Sequence, residues 1–288
     1  MLAVIGTLPE PGAPLLTGPA AWDGGPLSVA GTAVDVARGT PALLAAASAT
    51  ALALGRSAPH AVLAGDIGRG DGSRAVYAHL VETLPKSPFS VLAFHYLQPD
   101  VDWHNKVLFA VQAMRPKPLL LADAGFMYAA KMSGQATEYD LFTPDAGELA
   151  FLADETAPHP FYARGFLLSQ ENRVPELIQR AHVHDNAARH LLVKGVTDHV
   201  ARGGEILGSV DAPSESALEA MGGTGDTLTG VTAALIEAGW NIPRACLAGA
   251  RVNRVAGALL RPTPASQVRE LIAHIPEALE TVLREEGL

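Results

Sequence analysis

The sequence has little sulfur chemistry and no concentration of positive charge. Its single cysteine, Cys246, excludes an internal disulfide bond and fits a reducing compartment. The 21 Lys and Arg residues are outnumbered by 30 Asp and Glu residues, for a formal net charge of -9, and they form no basic stripe. A nucleic acid or an anionic membrane surface is therefore not an expected partner.

Long hydrophobic segments are also missing. The most apolar stretch, 41–55, is shorter than the roughly 20 residues of a membrane span and contains Ser and Thr, so it predicts a buried helix. Residues 1–12 lack the charged and apolar regions of a signal peptide. We therefore expect a cytoplasmic protein with no membrane partner.

What the sequence does contain is an alternation of short apolar runs with helical patterns. The chain of 288 residues is near the upper size for one hydrophobic core, so we expect a single domain, 1–288. Buried strands are predicted at 60–66, 90–96, 118–125, 140–145 and 191–195. Such an alternation predicts an α/β fold with a mostly parallel sheet covered by helices on both faces.

The two ends of the chain follow other patterns. Residues 12–38 are rich in Gly and Pro, which predicts a small β-rich flap or a hairpin at a sheet edge. After Gly195, the residues around Gly203 and Gly204 predict a β-hairpin. Three helical stretches then follow, at 226–239, 243–260 and 266–284.

A glycine-rich segment, MGGTGDTLTG at 221–230, directly precedes an apolar helical pattern. Apolar residues recur at helical spacing from Leu228 to Ala238, which predicts a helix that begins near Asp226. Free N–H groups at a helix start, together with the helix dipole, favour an anion. Asp226 would be useful there as the base that deprotonates a hydroxyl attacking a phosphate. The alternative is that Asp226 only caps the helix while the glycines form a tight turn.

This segment resembles the Gly-x-Gly-Asp signature of the ribokinase-like superfamily, and within it the NAD(P)H-hydrate dehydratase branch, also described as a carbohydrate kinase domain. The segments that carry the resemblance are, in chain order, LLLADAGFM (119–127), LFTPDAGELAFLAD (141–154), LLVKG (191–195) and ALEAMGGTGDTLTG (217–230). The resemblance covers about 118–285. It implies a ribokinase-like fold, with the nucleotide along one edge of the central sheet and the substrate beside it.

Carried over by position, the resemblance also implies the phosphoryl-transfer machinery. Asp226 is the implied catalytic base. Gly223, Thr224 and Gly225 form the implied anion hole for the phosphoryl group in transfer. The implied nucleotide is ADP or ATP.

Further contacts follow from the companion segments. Lys194 and Gly195 are implied near the nucleotide, Glu148 near Mg²⁺ through water, and Asp123 near the substrate. Position 145 holds Asp where the dehydratases have His, which is closer to the Asn-x-x-Glu pattern of the wider kinase superfamily. Two carboxylates, Asp145 and Glu148, suit a hard Mg²⁺ ion. The alternative is a capping box at the start of a helix.

A second departure follows the strand at 90–96. The dehydratases carry a Gly-Pro-Gly-Leu-Gly-like loop there, whereas this chain has FHYLQPDVDWHN at 94–105. Because ligands of open α/β sheets bind at the carboxyl ends of strands, these residues are candidates for substrate contact. The candidates are His95, Asp102, His104 and Asn105. The alternative is a surface loop with Trp103 packed into the core; a substrate-binding role would favour a substrate other than a nicotinamide nucleotide.

The segment GDIGRGDGSR at 65–74 has the shape of a phosphate-binding loop but lacks the Walker lysine and a full dinucleotide fingerprint. We interpret it as a structural turn; the alternative is that Asp66, Asp71 and Arg74 contact substrate or a partner subunit. The Pro- and aromatic-rich segment 157–166 predicts an ordered loop.

Taken together, these patterns predict a nucleotide-dependent NAD(P)H-hydrate dehydratase. It would phosphorylate the hydrate hydroxyl with ADP or ATP and Mg²⁺ and then eliminate phosphate. The first alternative is an ATP-dependent kinase of a small hydroxylated substrate, such as a sugar, vitamin precursor or nucleoside. The second is a non-catalytic nucleotide-binding protein. The branch often forms homo-oligomers, for which the flap at 12–38 is a candidate interface.

Overall fold

The computed structural model describes residues 1–156, 173–263, 265–285 and 287. The predicted loop at 157–166 lies outside the described residues. Within them, eleven strands form one sheet. They are β1 (Leu2–Leu8), β2 (Leu16–Ala21), β3 (Leu27–Val29), β4 (Thr32–Val34), β5 (His60–Gly65), β6 (Val91–Phe94), β7 (Leu119–Ala122), β8 (Leu141–Phe142), β9 (His190–Val193), β10 (Asp198–Arg202) and β11 (Glu205–Val210).

The sheet has a parallel centre and antiparallel ends. Its order is β11-β10-β9-β8-β7-β6-β1-β5-β2-β3-β4. The strands from β9 to β5 in this order are parallel to one another. The β10–β11 hairpin extends one end and β2, β3 and β4 extend the other, all antiparallel. The predicted flap at 12–38 is thus a sheet extension that pairs through β2 with β5.

Helices cover both faces of the sheet. They are α1 (Thr40–Ala53), α2 (Asp71–Thr83), α3 (Val101–Gln112), α4 (Gly125–Met132), α5 (Ala146–Ala153), α6 (Val174–Val183), α7 (Thr224–Glu237), α8 (Ile242–Leu260), α9 (Val268–Ala273) and α10 (Ile275–Glu285). One buried cluster holds side chains of α1 and of α7 to α10, and the other holds side chains of α2 to α6. The α/β architecture with two covered faces is the one that the sequence predicted.

Strand β1 is the largest addition to the sequence prediction, which assigned no strand to the first residues of the chain. It lies near the middle of the sheet, between β5 and β6, and all seven of its residues are buried. A strand covered on both faces reads as a continuous apolar run without alternation.

Several predicted boundaries differ from the observed ones. The predicted helix at 266–284 is two helices, α9 and α10, because Pro276 has no N–H with which to continue the hydrogen bonding. The predicted strand 118–125 ends at Ala122, and Gly125 already begins α4. Helix α7 begins at Thr224, two residues before the predicted start at Asp226.

The loop between β5 and α2 is filled by its own carboxylate. Asp66 Oδ1 accepts hydrogen bonds from the N–H groups of Gly68, Arg69 and Gly70 at 2.9 to 3.0 Å. Its Oδ2 accepts from the N–H and hydroxyl of Ser73 at 2.9 and 2.8 Å. These donors lower the pKa of Asp66 against the opposing effect of burial. Because these N–H groups already donate to Asp66, they are not available to a phosphate. This agrees with the interpretation of the segment as a structural turn.

In the described part of the chain, no helix is both long and apolar enough to cross a membrane.

Candidate active site

One edge of the sheet gathers the chemically useful side chains. His95 follows β6, Asp123 follows β7 and Lys194 follows β9, so all three lie at the carboxyl ends of parallel strands. The N-termini of α1 and α7 meet them there. A cavity of about 540 Å³ opens at this edge, within the range of small-molecule sites.

The glycine turn before α7 forms one wall of this cavity. Gly223 has φ +102°, and a Cβ there would lie only 3.0 Å from Val268 Cγ2 and 3.2 Å from Arg38 Cα. Only glycine fits both the backbone conformation and the space. In the described structure no side chain caps the helix that follows, so the N–H groups of its first turn are available to an anion.

Asp226 lies in that first turn, and its carboxylate is held by two donors. Oδ2 accepts the Gly39 N–H at 2.6 Å, and Oδ1 lies 3.1 Å from His95 Nε2. Burial disfavours the charged carboxylate, but His95, Lys194 and the Gly39 N–H outweigh it and lower the pKa of Asp226. The side chain is 13% exposed and lines the cavity. Asp226 is therefore an ionised acceptor that a ligand can reach.

Lys194 and Asp123 form a buried ion pair beside it. Lys194 Nζ lies 3.0 and 2.9 Å from the two Asp123 oxygens. Asp123 also accepts the Ala124 N–H at 2.8 Å and the Thr229 hydroxyl at 2.7 Å. Burial opposes the charge of Lys194, but Asp123, Glu148 and Asp226 raise its pKa above the ordinary value. The ammonium is thus a fixed cation among three carboxylates.

Asp145 and Glu148 lie at the start of α5 and line the same cavity. They form the capping box of that helix: Asp145 Oδ1 accepts the Glu148 N–H at 2.7 Å, and Glu148 Oε2 accepts the Asp145 N–H at 2.9 Å. Burial raises the pKa of Glu148 to about 8, with Asp145 and Asp123 acting in the same direction and Lys194 opposing them. Each carboxylate uses one oxygen in the cap, so the capping role leaves another oxygen for a ligand; on Glu148 this is Oε1, which also accepts a hydrogen bond from the Tyr128 hydroxyl at 3.4 Å.

The opposite wall is built from the segment after β9 and from α8. Arg254 donates to Asp198 Oδ2 at 2.8 Å and to the carbonyl oxygens of Gly195 and Val196 at 2.9 and 2.8 Å. Asn253 donates to the Thr224 carbonyl oxygen at 3.1 Å. These bonds tie the predicted nucleotide residue Gly195 and the glycine turn to one helix.

The structure therefore brings together most of the predicted site residues. The cavity lining includes Asp123, Asp145, Glu148, Lys194, Gly195, Gly223, Thr224, Gly225 and Asp226. His95 lies directly behind Asp226 and is fully buried, so its contact is with the carboxylate.

Three predicted substrate residues, all on α3, are not among the described residues that line this cavity. Asp102 is exposed and lies 2.6 Å from Lys106 Nζ. His104 is fully buried against Tyr139 Oη at 2.8 Å and Ser133 Oγ at 2.9 Å. Asn105 follows it on the same helix. The segment 101–105 is the start of α3, within the helix that the sequence pattern predicts at 101–114, and the helix carries these side chains away from the sheet edge.

Other site residues were missed by sequence reasoning. Tyr96 lines the cavity; the residue is 51% exposed, and its backbone has φ +44°. The Thr7 hydroxyl holds the Tyr96 carbonyl oxygen at 2.6 Å. Asn253 and Arg254 also line the cavity. Two adjacent polar residues in the mostly apolar second half of α8 were the available signal for the latter pair.

One group of three side chains has the types that bind metal ions. Ligand atoms of His95, Asp123 and Asp226 lie within 4.8 Å of one another. The Lys194 ammonium already neutralises Asp123, and N–H donors already occupy the Asp226 oxygens. We therefore assign this group to hydrogen bonding.

Comparison with solved structures supports the fold. A ribokinase-like superfamily protein from Enterococcus faecalis aligns over 98% of this chain and 87% of its own, with TM-score 0.60 and 13% identity. A pyridoxal kinase from Staphylococcus aureus in complex with AMP-PCP aligns over 89% of this chain and 88% of its own, with TM-score 0.56 and 13% identity. Phosphofructokinase-2 from Escherichia coli in complex with fructose-6-phosphate aligns over 97% of this chain and 100% of its own, with TM-score 0.55 and 15% identity.

Sequence comparisons place the chain more narrowly. An uncharacterized protein from Methanocaldococcus jannaschii is 38% identical over 224 residues, which cover 77% of this chain and 92% of that protein. The sequence profile of the NAD(P)H-hydrate dehydratase family, also called the carbohydrate kinase family, matches residues 98–277, more than half of the chain. The chain therefore belongs to the NAD(P)H-hydrate dehydratase family and has a ribokinase-like fold, as the Gly-x-Gly-Asp segment and its companions predicted.

Proposed function

We propose that the protein is a nucleotide-dependent NAD(P)H-hydrate dehydratase. The reaction has two parts: transfer of a phosphoryl group from ADP or ATP to the hydrate hydroxyl, and elimination of that phosphate to give NADH or NADPH. Family membership and the nucleotide-binding kinases among its structural neighbours support a nucleotide-dependent reaction.

Asp226 is the proposed general base. Its carboxylate is ionised, lines the cavity, and has a lone pair left on each oxygen after accepting from Gly39 and His95. A substrate hydroxyl beside it would lose its proton to Asp226 as the hydroxyl oxygen attacks the terminal phosphate of the nucleotide. The bond from that phosphorus to the leaving nucleotide oxygen breaks in the same step.

The first turn of α7 is the proposed anion hole. Gly223, Thr224 and Gly225 line the cavity, and the positive end of the α7 dipole lies at this turn. Backbone N–H donors fixed at this position would stabilise the charge that develops on the phosphoryl oxygens. The Lys194 ammonium, 3.5 Å from the position of a Cβ on Gly225, adds a fixed positive charge beside them.

A divalent cation fits the carboxylates at the start of α5. Asp145 and Glu148 offer hard oxygen ligands at the cavity wall, and Mg²⁺ is commonly held by one or two carboxylates together with water and phosphate oxygens. When bound, Mg²⁺ would neutralise charge on the nucleotide phosphates. Asp145 and Glu148 are the residues that would hold it, directly or through water.

The elimination step releases the phosphoryl group that the first step attached. In the phosphorylated hydrate, the carbon–oxygen bond breaks and inorganic phosphate leaves, while the neighbouring carbon loses a proton to the departing phosphate and the electron pair of that carbon–hydrogen bond forms the carbon–carbon double bond of the dihydronicotinamide. Residues that hold the transferred phosphoryl group would also hold the departing phosphate. The Gly223–Gly225 turn therefore serves both steps.

The observation that carries this proposal is the position of Asp226, an accessible ionised carboxylate in the same helical turn as the uncapped N–H groups. The test is turnover of hydrated NADH with Mg²⁺ and either ADP or ATP, followed by recovery of reduced-nicotinamide absorbance. We expect recovery that depends on nucleotide. Asp226→Asn should lower it by about 10²–10⁴-fold while nucleotide binding is largely kept.

Asp102→Asn is the matched control, because it removes an exposed carboxylate whose partner is Lys106, outside the cavity. It should leave turnover unchanged. Full activity in Asp226→Asn would show that the base is another group. Tight ADP binding with no turnover of any acceptor would instead favour a non-catalytic nucleotide-binding protein.

A second candidate function is an ATP-dependent kinase of a small hydroxylated substrate. Two observations favour it: Asp145 with Glu148 follows the kinase pattern, and the exposed ring of Tyr96 lines the cavity where the dehydratases carry a glycine-rich loop. The test measures ATP consumption together with the formation of phosphorylated product from pyridoxal, fructose 6-phosphate and simple nucleosides. Product formation there, without recovery of NADH from its hydrate, would replace the dehydratase proposal.

We also propose a reducing cytoplasmic compartment, because Cys246 is fully buried and the chain has no second thiol to pair with it. A homo-oligomer remains a proposal from the family resemblance. Sedimentation of the purified protein tests it directly.

A further inference from the structure

We propose that His95, fixed by Thr40, is a positioning residue that orients the Asp226 carboxylate and keeps it in its proton-accepting form. The inference rests on the proposed function for its consequence, because it concerns the base of that reaction. Its structural basis is a three-residue chain of hydrogen bonds across three elements of the fold.

The chain begins at α1 and ends at α7. Thr40 Oγ1 lies 3.0 Å from His95 Nδ1, and His95 Nε2 lies 3.1 Å from Asp226 Oδ1. Thr40 is in the first turn of α1, His95 directly follows β6, and Asp226 is in the first turn of α7. Both ring nitrogens of His95 are therefore used, and the ring is fully buried. No face of this imidazole is open to a substrate.

Burial decides the direction of the first hydrogen bond. Thr40 is 1% exposed, and its hydroxyl makes no other hydrogen bond with the described residues. If His95 Nδ1 carried a proton, the Thr40 proton would be buried without an acceptor, which costs free energy. Thr40 therefore donates to Nδ1. This leaves Nε2 as the protonated nitrogen of a neutral ring.

The second hydrogen bond then has only one direction. His95 Nε2–H donates to Asp226 Oδ1, which accepts well only while it is ionised. The Gly39 N–H donates to the other oxygen at 2.6 Å. Because the two donors come from different elements, they fix the rotation of the carboxylate. One lone pair on each oxygen is left for the proton of the substrate.

Other charged and titratable groups also face this carboxylate. The Lys194 ammonium acts on the pKa of Asp226 in the same direction as His95. The Asp123 carboxylate, which is paired with Lys194, has an oxygen within 4.8 Å of an Asp226 oxygen. The Tyr96 ring lies edge-on to His95, with ring centroids 4.3 Å apart. Among these groups, His95 is the one that donates a side-chain hydrogen bond to Asp226.

The first test needs no substrate and no substitution. Nitrogen-15 chemical shifts of the His95 ring in the unliganded protein report which nitrogen carries the proton. We expect a neutral ring protonated at Nε2. A neutral ring protonated at Nδ1 alone at pH 7 to 8 would overturn the proposal, because Nε2 would then offer no hydrogen to Asp226.

The second test follows Asp226 itself by the carbon-13 shift of its carboxyl group during pH titration. In His95→Leu the titration midpoint should rise by about one pH unit or more. In His95→Gln it should stay near the wild-type value, since the amide N–H can replace Nε2–H. Thr40→Val, which frees the tautomer, should give a smaller rise.

His104→Gln is the control, because His104 is also fully buried with both nitrogens hydrogen-bonded but lies outside the cavity. It should leave the Asp226 midpoint in place. A His95→Leu protein that folds and has an unshifted Asp226 midpoint would overturn the proposal, because His95 would then contribute only to packing. If His95→Leu does not fold, the wild-type ring shifts and the His95→Gln titration still decide the question.

The third test links the pair to turnover. In an active enzyme, the acid limb of the kcat–pH profile should move upward in His95→Leu by the same amount as the Asp226 midpoint, and return in His95→Gln. An acid limb that stays while the midpoint moves would overturn the link to the base. If the wild-type protein turns over neither hydrated NADH nor the small hydroxylated kinase substrates, the proposed function fails. The ring chemical shifts and the Asp226 titration still decide the positioning inference.

Discussion

Replacement of Lys194 by Met tests how the cavity holds its charges. The substitution keeps much of the side-chain volume but removes the ammonium, which contacts both oxygens of Asp123 at 3.0 and 2.9 Å. Asp123 is 1% exposed and would keep only the Ala124 N–H and the Thr229 hydroxyl. A buried carboxylate would then lack its compensating charge.

Removal of one partner of a buried ion pair costs about 3–5 kcal/mol. We expect the lower end, about 3 kcal/mol, because the two remaining donors still solvate Asp123 in Lys194→Met. This is a large fraction of the roughly 5–15 kcal/mol that stabilises a typical folded protein.

Urea unfolding, followed by far-ultraviolet circular dichroism, measures this effect. With a denaturant slope of about 3 kcal/mol/M, the midpoint at pH 8 should fall by roughly 1 M. The double variant Lys194→Met/Asp123→Asn is the control, because it removes the stranded charge. It should be more stable than Lys194→Met by about 2 kcal/mol.

Two results would refute this reasoning. One is a Lys194→Met protein within about 1 kcal/mol of the wild type at pH 8, the size of an ordinary substitution. The other is a double variant no more stable than Lys194→Met, which would mean that the two side chains are not energetically coupled.

Three further predictions concern the glycine turn, the core and the β5–α2 loop. Gly225→Ala adds a methyl group 3.4 Å from Lys194 Cδ in the first turn of α7, which is an ordinary van der Waals distance. Calorimetry should find that the higher helix propensity of Ala raises the Tm by about 1–2 °C, while turnover at the anion hole falls at least about tenfold. A lower Tm would mean that the methyl group does not fit beside Lys194. Burial lowers the pKa of His104 to about 4, so the folded protein resists its protonation and loses about 3 kcal/mol of stability as the pH falls from 6.5 to 4. In His104→Gln the urea midpoint should depend less on pH than in the wild type. If the two proteins give parallel curves of midpoint against pH, His104 does not cause the loss of stability. Asp66→Ala removes five hydrogen bonds and should lower the free energy of unfolding in urea by about 2 kcal/mol or more, while the nucleotide affinity stays unchanged. Weakened nucleotide binding with unchanged stability would instead make this loop a phosphate site.

Much of the fold was predictable because the relevant signals are local. The five predicted strands at 60–66, 90–96, 118–125, 140–145 and 191–195 all exist, since apolar runs of strand length mark buried parallel strands wherever they pair. Strand β1 was missed for a related reason: its mostly apolar, fully buried run has no period that distinguishes a buried strand from other apolar segments. Only its pairing with β5 and β6 reveals it.

The candidate site divides in a similar way. Asp226 and the glycine turn could be named from sequence, because a helix start with several glycines and one acid is a contiguous pattern. His104 was a candidate substrate contact because it follows a strand closely in sequence, yet one turn of α3 directs it into the core. Helical geometry separates residues that sequence distance suggests are together.

The sequence by itself determined the α/β class, the alternation of strands and helices, and the family. Periodicity and motif spacing are local properties of the chain, so they can be recognised without any long-range contact. Tertiary structure alone decided that Thr40, His95 and Asp226 form one chain of hydrogen bonds, although they are separated by 55 and 131 positions in sequence. It also decided that Asp123 holds Lys194. The physical reason is that parallel strands with helical crossovers place distant residues at one sheet edge, and burial there gives their charges and hydrogen bonds an energy that exposed side chains do not have.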